Sequence, residues 1–258
     1  MNVTNLFRFA IAACLLLATP SFAGDWEFQF EPYLMISNIE GDAGIGPVED
    51  LVVDVDFSTI LENLDLGAMA HFEAHHKSGW GLSLDYGFMD LGADISGPRG
   101  GILDASVRQG VFEALVVKRK RLAGGTLDWF AGVRWWDNDI DVHLEPMILP
   151  GEIDIIDEID VAIGADWIDL VAGLRLLKEV NEKWKFMLRG DVGGLGAESD
   201  FTSTVAIGAQ YQISEKTVLD LQYKGTWVDY ETGTSGEPGY FAYDTLTHGT
   251  VLGVIFNL

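Results

Sequence analysis

Stretches of about ten residues in which apolar and polar side chains alternate recur along the whole of this 258-residue chain. In the first of them, Trp26, Phe28 and Phe30 alternate with Glu27 and Gln29. Successive side chains of a β-strand point to opposite faces, so this period of two predicts strands with one apolar and one polar face. Ten such segments predict an all-β fold: 26–34, 64–75, 80–88, 108–118, 127–135, 168–176, 184–191, 201–212, 219–227 and 252–258.

The N-terminal segment has the pattern of an export signal. Residues 1–23 contain Arg8, an apolar stretch over 9–18 and the sequence Ser21-Phe22-Ala23, which predicts cleavage before Gly24. An uncleaved membrane anchor needs about 20 apolar residues, and this run is shorter. The only cysteine, Cys14, lies in this segment. We therefore expect an exported chain that folds as one domain, 24–258, without disulfides.

The links between the predicted strands alternate in length and differ in charge. Short links lie near 76–79, 119–125, 178–183 and 213–216, and longer ones near 37–63, 93–107, 138–166, 193–200 and 229–245. The short links and their edges carry eight lysines and arginines, whereas the longer links carry 24 carboxylates and one arginine, Arg99. Strands that cross a bacterial outer membrane are joined by short periplasmic turns and long outer loops. The pattern therefore favours a transmembrane antiparallel up-and-down β-barrel with acidic outer loops.

Several details of the barrel stay open at this stage. Ten strands fit the even count of single-chain bacterial barrels, but eight or twelve also fit the pattern. Segment 56–64 could form a short helix with Asp56 or Ser58 as its N-cap. A soluble periplasmic barrel of the lipocalin type is the main alternative, because alternation alone does not say whether the apolar face meets lipid or a protein core.

Several motifs from about residue 128 onward resemble those of poorly characterised proteobacterial outer-membrane β-barrels, described as OmpA-type or porin-like. The resemblance rests on Gly132-Val-Arg134-Trp-Trp136, Asp166-Trp-Ile-Asp169, Gly173-Leu-Arg175, Arg189-Gly-Asp-Val-Gly-Gly194, Ser199-Asp-Phe201, Val228-Asp-Tyr230, His248-Gly249 and Leu252-Gly253. It implies a barrel in the cell outer membrane of a Gram-negative bacterium, and no reaction. The C-terminal strand, with Phe256 and Leu258 on one face, resembles the signal read by the barrel-assembly machinery, although this family usually ends in an aromatic residue.

If the apolar face meets lipid, the charged residues of the strands face the lumen. Isolated charges there would be costly, and arginine can satisfy two carboxylate oxygens at once. We therefore predict a lumen ion-pair network that comprises Glu27, Glu31, Asp65, Glu73, Asp85, Glu113, Asp128, Arg134, Asp169, Arg175, Lys185, Arg189, Asp191, Asp220 and Lys224; His71 is also expected to face the lumen.

The functional expectation is a plugged barrel with a structural or interaction role. Because carboxylates outnumber cations in the predicted network, the alternative is a narrow channel that prefers cations. A second alternative is a hydrolase acting on envelope lipid or peptide at the barrel rim, with His248, Asp244 and Ser235, or with His143. We expect no catalytic residues, no cofactor and no metal site, since His75 and His76 point to opposite faces. We leave open whether acidic link 138–166 binds divalent cations or is a solvated rim.

Partners are predicted from charge and from the aromatic residues. The net charge of −24 argues against nucleic acid, whose phosphates favour basic surfaces. Tryptophans near the strand ends suit the aromatic girdles of a membrane barrel; they are Trp26, Trp80, Trp135, Trp136, Trp167, Trp184 and Trp227. The expected partners are outer-membrane lipids, lipopolysaccharide and the assembly machinery, and the sequence does not indicate an oligomeric state.

Overall fold

The chain forms one closed, antiparallel, up-and-down β-barrel of ten strand positions. The structure is a computed structural model that describes residues 24–46, 48–96, 102–144, 159–237 and 239–258. Its strands are β1 (Trp26–Ile45), β2 (Val48–Val55), β3 (Leu64–His76), β4 (Trp80–Ser96), β5 (Ile102–Leu122), β6 (Gly125–Leu144), β7 (Ile159–Glu179), β8 (Trp184–Gly194), β9 (Phe201–Ser214), β10 (Thr217–Thr232) and β11 (Phe241–Asn257). The predicted all-β barrel is therefore confirmed.

The barrel closes because β11 pairs with β1. A line of paired residues that starts at Phe28 passes once through each of the ten strand positions, by way of β3 at the second one. It returns to β1 at Glu40, twelve positions further along. This stagger forces the strands to tilt, by roughly 40° for a barrel of this kind. As a consequence, side chains distant in sequence meet at one height in the lumen.

The second strand position is divided between β2 and β3. The upper part of β1 pairs with β2, and the lower part pairs with β3. Between them lies the short helix α1 (Phe57–Glu62), where Asp56 accepts a hydrogen bond from the Thr59 N–H. That bond lowers the pKa of the Asp56 carboxyl below its usual value. The predicted short helix is confirmed, with Asp56 as its N-cap. Within the described residues, no helix is long and apolar enough to cross a membrane.

Most apolar side chains of the strands point out of the barrel, and most charged ones point in. Leu34 and Leu170 are 68% and 65% exposed, whereas Asp128 and Asp169 are fully buried. A soluble barrel would have the opposite arrangement. Both described chain ends lie with the short turns at one end of the barrel, which we call the lower end. The strands extend further towards the upper end than the alternation predicts.

The girdle prediction, made for seven of the eight tryptophans, is wrong for two of them. Trp136 and Trp167 are 4% and 1% exposed and lie inside the barrel. In each case a neighbour in sequence, Trp135 or Ile168, occupies the outward position instead. The tryptophans predicted for girdles that do lie on the outer wall are Trp26, Trp80, Trp135, Trp184 and Trp227.

We expect closure of the barrel to depend on Gly249 in β11. A Cβ atom at this position would overlap the carbonyl oxygen of Ile36 on β1. Gly249→Ala should therefore lower the free energy of unfolding by about 1–3 kcal/mol, as other overpacked substitutions do. Urea unfolding of the refolded barrel in detergent, followed by tryptophan fluorescence, measures the change.

Gly190→Ala is the matched control, because a Cβ there has nothing within 4 Å. We expect this variant to unfold at the same urea concentration as the unchanged protein. Equal losses in the two variants would contradict the role of Gly249 in closure.

Candidate functional site in the barrel lumen

Two arginines and two carboxylates form a closed cluster in the middle of the lumen, here called the upper cluster. Arg134 donates to Glu113 at 2.7 Å and to Asp191 at 2.9 Å. Arg189 donates to the same two carboxylates at 2.7 and 3.0 Å. Arg134 also donates to the Thr202 hydroxyl at 3.0 Å. Because each buried charge has an opposite partner, the cluster can exist away from water.

A second set of four charged residues, the lower cluster, lies nearer the lower end. Arg119 donates two parallel hydrogen bonds to Asp128, both of 2.8 Å. Arg175 donates to Asp128 at 2.8 Å and also contacts Glu73. Arg119 and Glu73 are 3.7 Å apart. The two arginines thus hold two carboxylates from different parts of the wall.

A chain of hydrogen bonds extends from the lower cluster to the middle of the barrel. Glu73 contacts His75 at 2.7 Å and His71 at 3.0 Å. The other ring nitrogen of His71 lies 3.0 Å from Asp85, which accepts a hydrogen bond from the Tyr33 hydroxyl at 2.9 Å. An imidazolium satisfies both carboxylates that flank His71, since both of its nitrogens donate.

An aromatic layer occupies the lumen above the upper cluster. The Trp167 ring stacks on Tyr230, with centroids 3.9 Å apart, and on Trp136, with centroids 5.6 Å apart. The Phe241 ring lies against the Trp167 ring, with centroids 6.4 Å apart, and Phe241 is 1% exposed. Val228 belongs to the same buried cluster. These rings therefore pack against one another inside the barrel at that height.

Two small cavities remain in the lumen. The lower one has a volume of about 170 Å³ and is lined by Arg119, Arg175 and Glu73 of the lower cluster, by Arg189 of the upper cluster, and by glutamines. The upper one is about 100 Å³, is more apolar, and includes Met35, Met69 and Met89 in its lining. Tyr33, Asp85, Thr204 and Lys224 line both. Each cavity has room for a few water molecules.

The structure brings most of the predicted network together, but several members lie apart. Glu27 is at the lower mouth, where it pairs with Arg121 at 3.3 Å. Asp65 and Lys185 are exposed, and Lys185 lines the lower cavity. Asp169 accepts hydrogen bonds from Ser199 at 2.6 Å and from Trp167 at 3.2 Å.

Two predicted members of the network contact each other instead of a cation. Glu31 and Asp220 lie within hydrogen-bonding reach of each other across Gly253. One oxygen of each accepts no hydrogen bond from the described residues. Two adjacent buried carboxyl groups cannot both be charged without a large cost, so a shared proton is the natural state of this pair.

Sequence reasoning missed several lumen residues. Arg119 was counted with the short link, yet β5 continues through it and turns its side chain inward. Arg119 lies two positions after Val117 and six after Glu113, so it continues the face of the strand that holds Glu113, and this spacing was the signal that could have found it. Tyr33 and the aromatic layer were also missed, because an aromatic side chain on a strand suits either face.

The histidines predicted as candidates for a rim hydrolase do not belong to either lumen cluster. His248 is on the outer wall, 2.7 Å from the Tyr223 hydroxyl and 3.3 Å from Glu40. The His143 side chain and residues 145–158, most of the acidic link, lie outside the described residues. Among the side chains that are described, no group of three or more His, Cys, Asp or Glu is arranged to hold a metal ion.

Comparison with known proteins supports the fold alone. No family model matches the sequence, and comparison with curated proteins finds no match, so the OmpA-type or porin-like assignment gains no support. Among solved structures, the chain is similar to the outer membrane protease OmpT from Escherichia coli, with 10% identity and a TM-score of 0.52 over 93% of this chain and 99% of that one. At this identity the likeness does not extend to activity.

Two further solved structures align less well. Neisserial surface protein A has 11% identity and a TM-score of 0.31 over 90% of this chain and 97% of that one. The CymD monoaromatic hydrocarbon channel has 10% identity and a TM-score of 0.36 over 91% and 88%. Neither adds to the argument at these scores. The chain has the fold of an outer-membrane β-barrel, as the OmpT structure has.

Proposed function

We propose that this protein is an outer-membrane β-barrel that is closed to solutes and acts through its outward-facing surfaces. The observation that supports this most is the filling of the lumen at two heights. The upper cluster blocks the middle, where Arg134 and Asp191 are 3% and 4% exposed. The aromatic layer blocks the section above it. A solute would have to disrupt both the upper cluster and the aromatic layer to pass through the lumen.

The proposed placement follows from the outer wall. The apolar residues face outward, with aromatic residues at both edges, as in a barrel surrounded by lipid. Residues 1–23 would be removed on export, and the last strand would be read by the assembly machinery. Outside the cell, acidic strand ends such as Asp137 and Asp229 would face the lipopolysaccharide layer. The proposal gives His248 no catalytic role.

A cation channel is the second candidate, favoured by the excess of carboxylates in the lumen and by the two cavities that share Lys224 and Asp85. Planar-bilayer recordings separate the two proposals. For a closed barrel we expect no conductance steps in about 1 M KCl, where a barrel with an open path would conduct readily. Steps that prefer potassium over chloride would contradict the closed barrel and support the channel.

Cysteine labelling tests whether the aromatic layer closes the upper end of the lumen. The chain from residue 24 has no cysteine, so Met89→Cys places one thiol in the upper cavity. We expect a water-soluble thiol reagent to leave it unmodified in the native barrel and to modify it once Trp167→Ala and Phe241→Ala remove the aromatic layer. Lys183→Cys, in an exposed turn, is the control and should react at once. Rapid labelling of the native barrel at Met89→Cys would mean that the lumen is open from one end.

A further inference from the structure

Three lysines and two tryptophans form a distinct surface on the outer wall at the lower end. Lys118 and Lys120 lie on β5 and Lys178 lies on β7. Trp80 on β4 and Trp129 on β6 flank them and are 53% and 42% exposed. We call these five residues the lysine–tryptophan surface. All five share the outward face of their strands with lipid-facing apolar residues such as Val116 and Leu174.

The lysine side chains on this surface reach towards the edge of the barrel. The Lys118 ammonium lies 4.7 Å from the centroid of the Trp80 ring and 3.0 Å from the Ser78 carbonyl oxygen, in the turn after β3. The Lys178 ammonium lies 3.4 Å from the Ala123 carbonyl oxygen, in the turn after β5. Lys120 is exposed between them. Lysines placed this way carry their charge to the level of lipid headgroups while their stems lie against apolar surface.

Among the described residues, the other outward strand positions near the lower edge hold no lysine, arginine or carboxylate, whereas Lys77, Lys183 and Lys216 lie in the turns. No strand position on the outer wall near the lower end of β4 to β8 holds a carboxylate, in the part of the chain that the structure describes. On the opposite wall, the outward positions of the same level hold uncharged residues such as Leu219, Phe256 and Phe28. The three lysines therefore face the bilayer without an acidic neighbour on the wall, and only on one side of the barrel.

We infer that the lysine–tryptophan surface binds the phosphate of an anionic phospholipid, phosphatidylglycerol, in the leaflet next to the short turns. The ammonium groups contact the phosphate, and the indole rings lie beside the glycerol region, where amphipathic aromatic rings prefer to be. Basic residues near a membrane surface favour anionic lipids over neutral ones. The inference rests on the membrane placement proposed above and adds a specific lipid to it.

Native mass spectrometry of the refolded barrel in neutral detergent, titrated with phosphatidylglycerol or phosphatidylcholine, tests this site. We expect the unchanged barrel to retain phosphatidylglycerol with about tenfold preference or more. The triple variant Lys118→Gln, Lys120→Gln, Lys178→Gln should lose most of that preference. Raising ammonium acetate from about 50 to about 500 mM should weaken the preference of the unchanged barrel in the same way, because salt screens exposed charges.

The matched control removes the same charge from the same end of the barrel. Lys77→Gln, Lys183→Gln, Lys216→Gln replaces three lysines of the short turns and should keep the preference. An equal loss in both triple variants, or an unchanged barrel without preference, would overturn the lipid site. Heat-dependent gel mobility after mixing with phosphatidylcholine vesicles distinguishes failure of the lipid site from failure of the membrane placement. A chain that does not insert into these vesicles contradicts the membrane placement itself.

Discussion

Arg134→Met should lower the free energy of unfolding by about 3–5 kcal/mol, the usual effect of removing one partner from a buried ion pair. The guanidinium of Arg134 contacts Glu113, Asp191 and Thr202 and is almost fully buried. Methionine keeps much of the volume but leaves both carboxylates with Arg189 as their remaining partner in the upper cluster. Urea unfolding of the refolded barrel in lipid vesicles, followed by gel mobility, measures the loss.

The double variant Arg134→Met, Glu113→Gln is the control for this interpretation. It removes one carboxylate along with Arg134, so Arg189 and Asp191 remain as an ion pair and the charges of the upper cluster balance. We expect it to recover a large part of the lost stability, because a neutral group is less costly to bury than an unpaired charge. If the double variant is less stable than Arg134→Met alone, unpaired charge is not the cause of the loss.

Leu252→Arg should destabilise the barrel in a bilayer by about 2–4 kcal/mol, the cost of arginine near the midplane of a membrane barrel. Leu252 points outward from β11, is 47% exposed, and pairs with Leu34 and Leu221, which also point outward. A charge there would have to leave water for hydrocarbon. Urea unfolding of the unchanged protein and of Leu252→Arg in lipid vesicles measures the difference in their free energies of unfolding.

Glu231→Arg provides the comparison, because Glu231 is exposed near the upper end of β10, beyond the apolar band. We expect its stability to change by less than about 0.5 kcal/mol, as for an ordinary surface position. If Leu252→Arg lowers the free energy of unfolding no more than Glu231→Arg does, the apolar wall does not contact lipid chains. That result would contradict the proposed membrane placement.

The alternation of apolar and polar residues, together with the lengths and charges of the links, was enough to predict the barrel and the face on which most of the strand charges lie. It also contained more information than was used. Trp135 and Trp136 are adjacent, so one of them had to face the lumen, and the outward position of Ile168 required Trp167 to point inward. The girdle assignment for Trp136 and Trp167 was wrong because it weighed residue type above position.

The partners within the lumen could not be predicted from the sequence. Arg134 and Asp191 lie 57 positions apart and come from β6 and β8, which are not adjacent in the sheet. Their contact depends on the register of every pair between them and on the stagger of the whole barrel. The same applies to Glu31 and Asp220, which meet across β11 because Gly253 has no side chain in between. Alternation predicts the face of the strand on which a side chain lies, but not the position of that side chain along the barrel axis.

The pairing of β1 with β11 makes the two ends of the folded chain neighbours. Gln29 donates to Asn257 at 2.8 Å, and the N–H of Leu258 donates to the Phe28 carbonyl at 3.0 Å. Because these two strands are paired, a linker of a few residues would join the last strand to a barrel that begins at residue 24, and new ends could be opened in a described connection at the opposite end, such as 195–200. The order in which the strands are synthesised is therefore not imposed by the final architecture, and a circularly permuted chain has the same set of neighbours available to each strand.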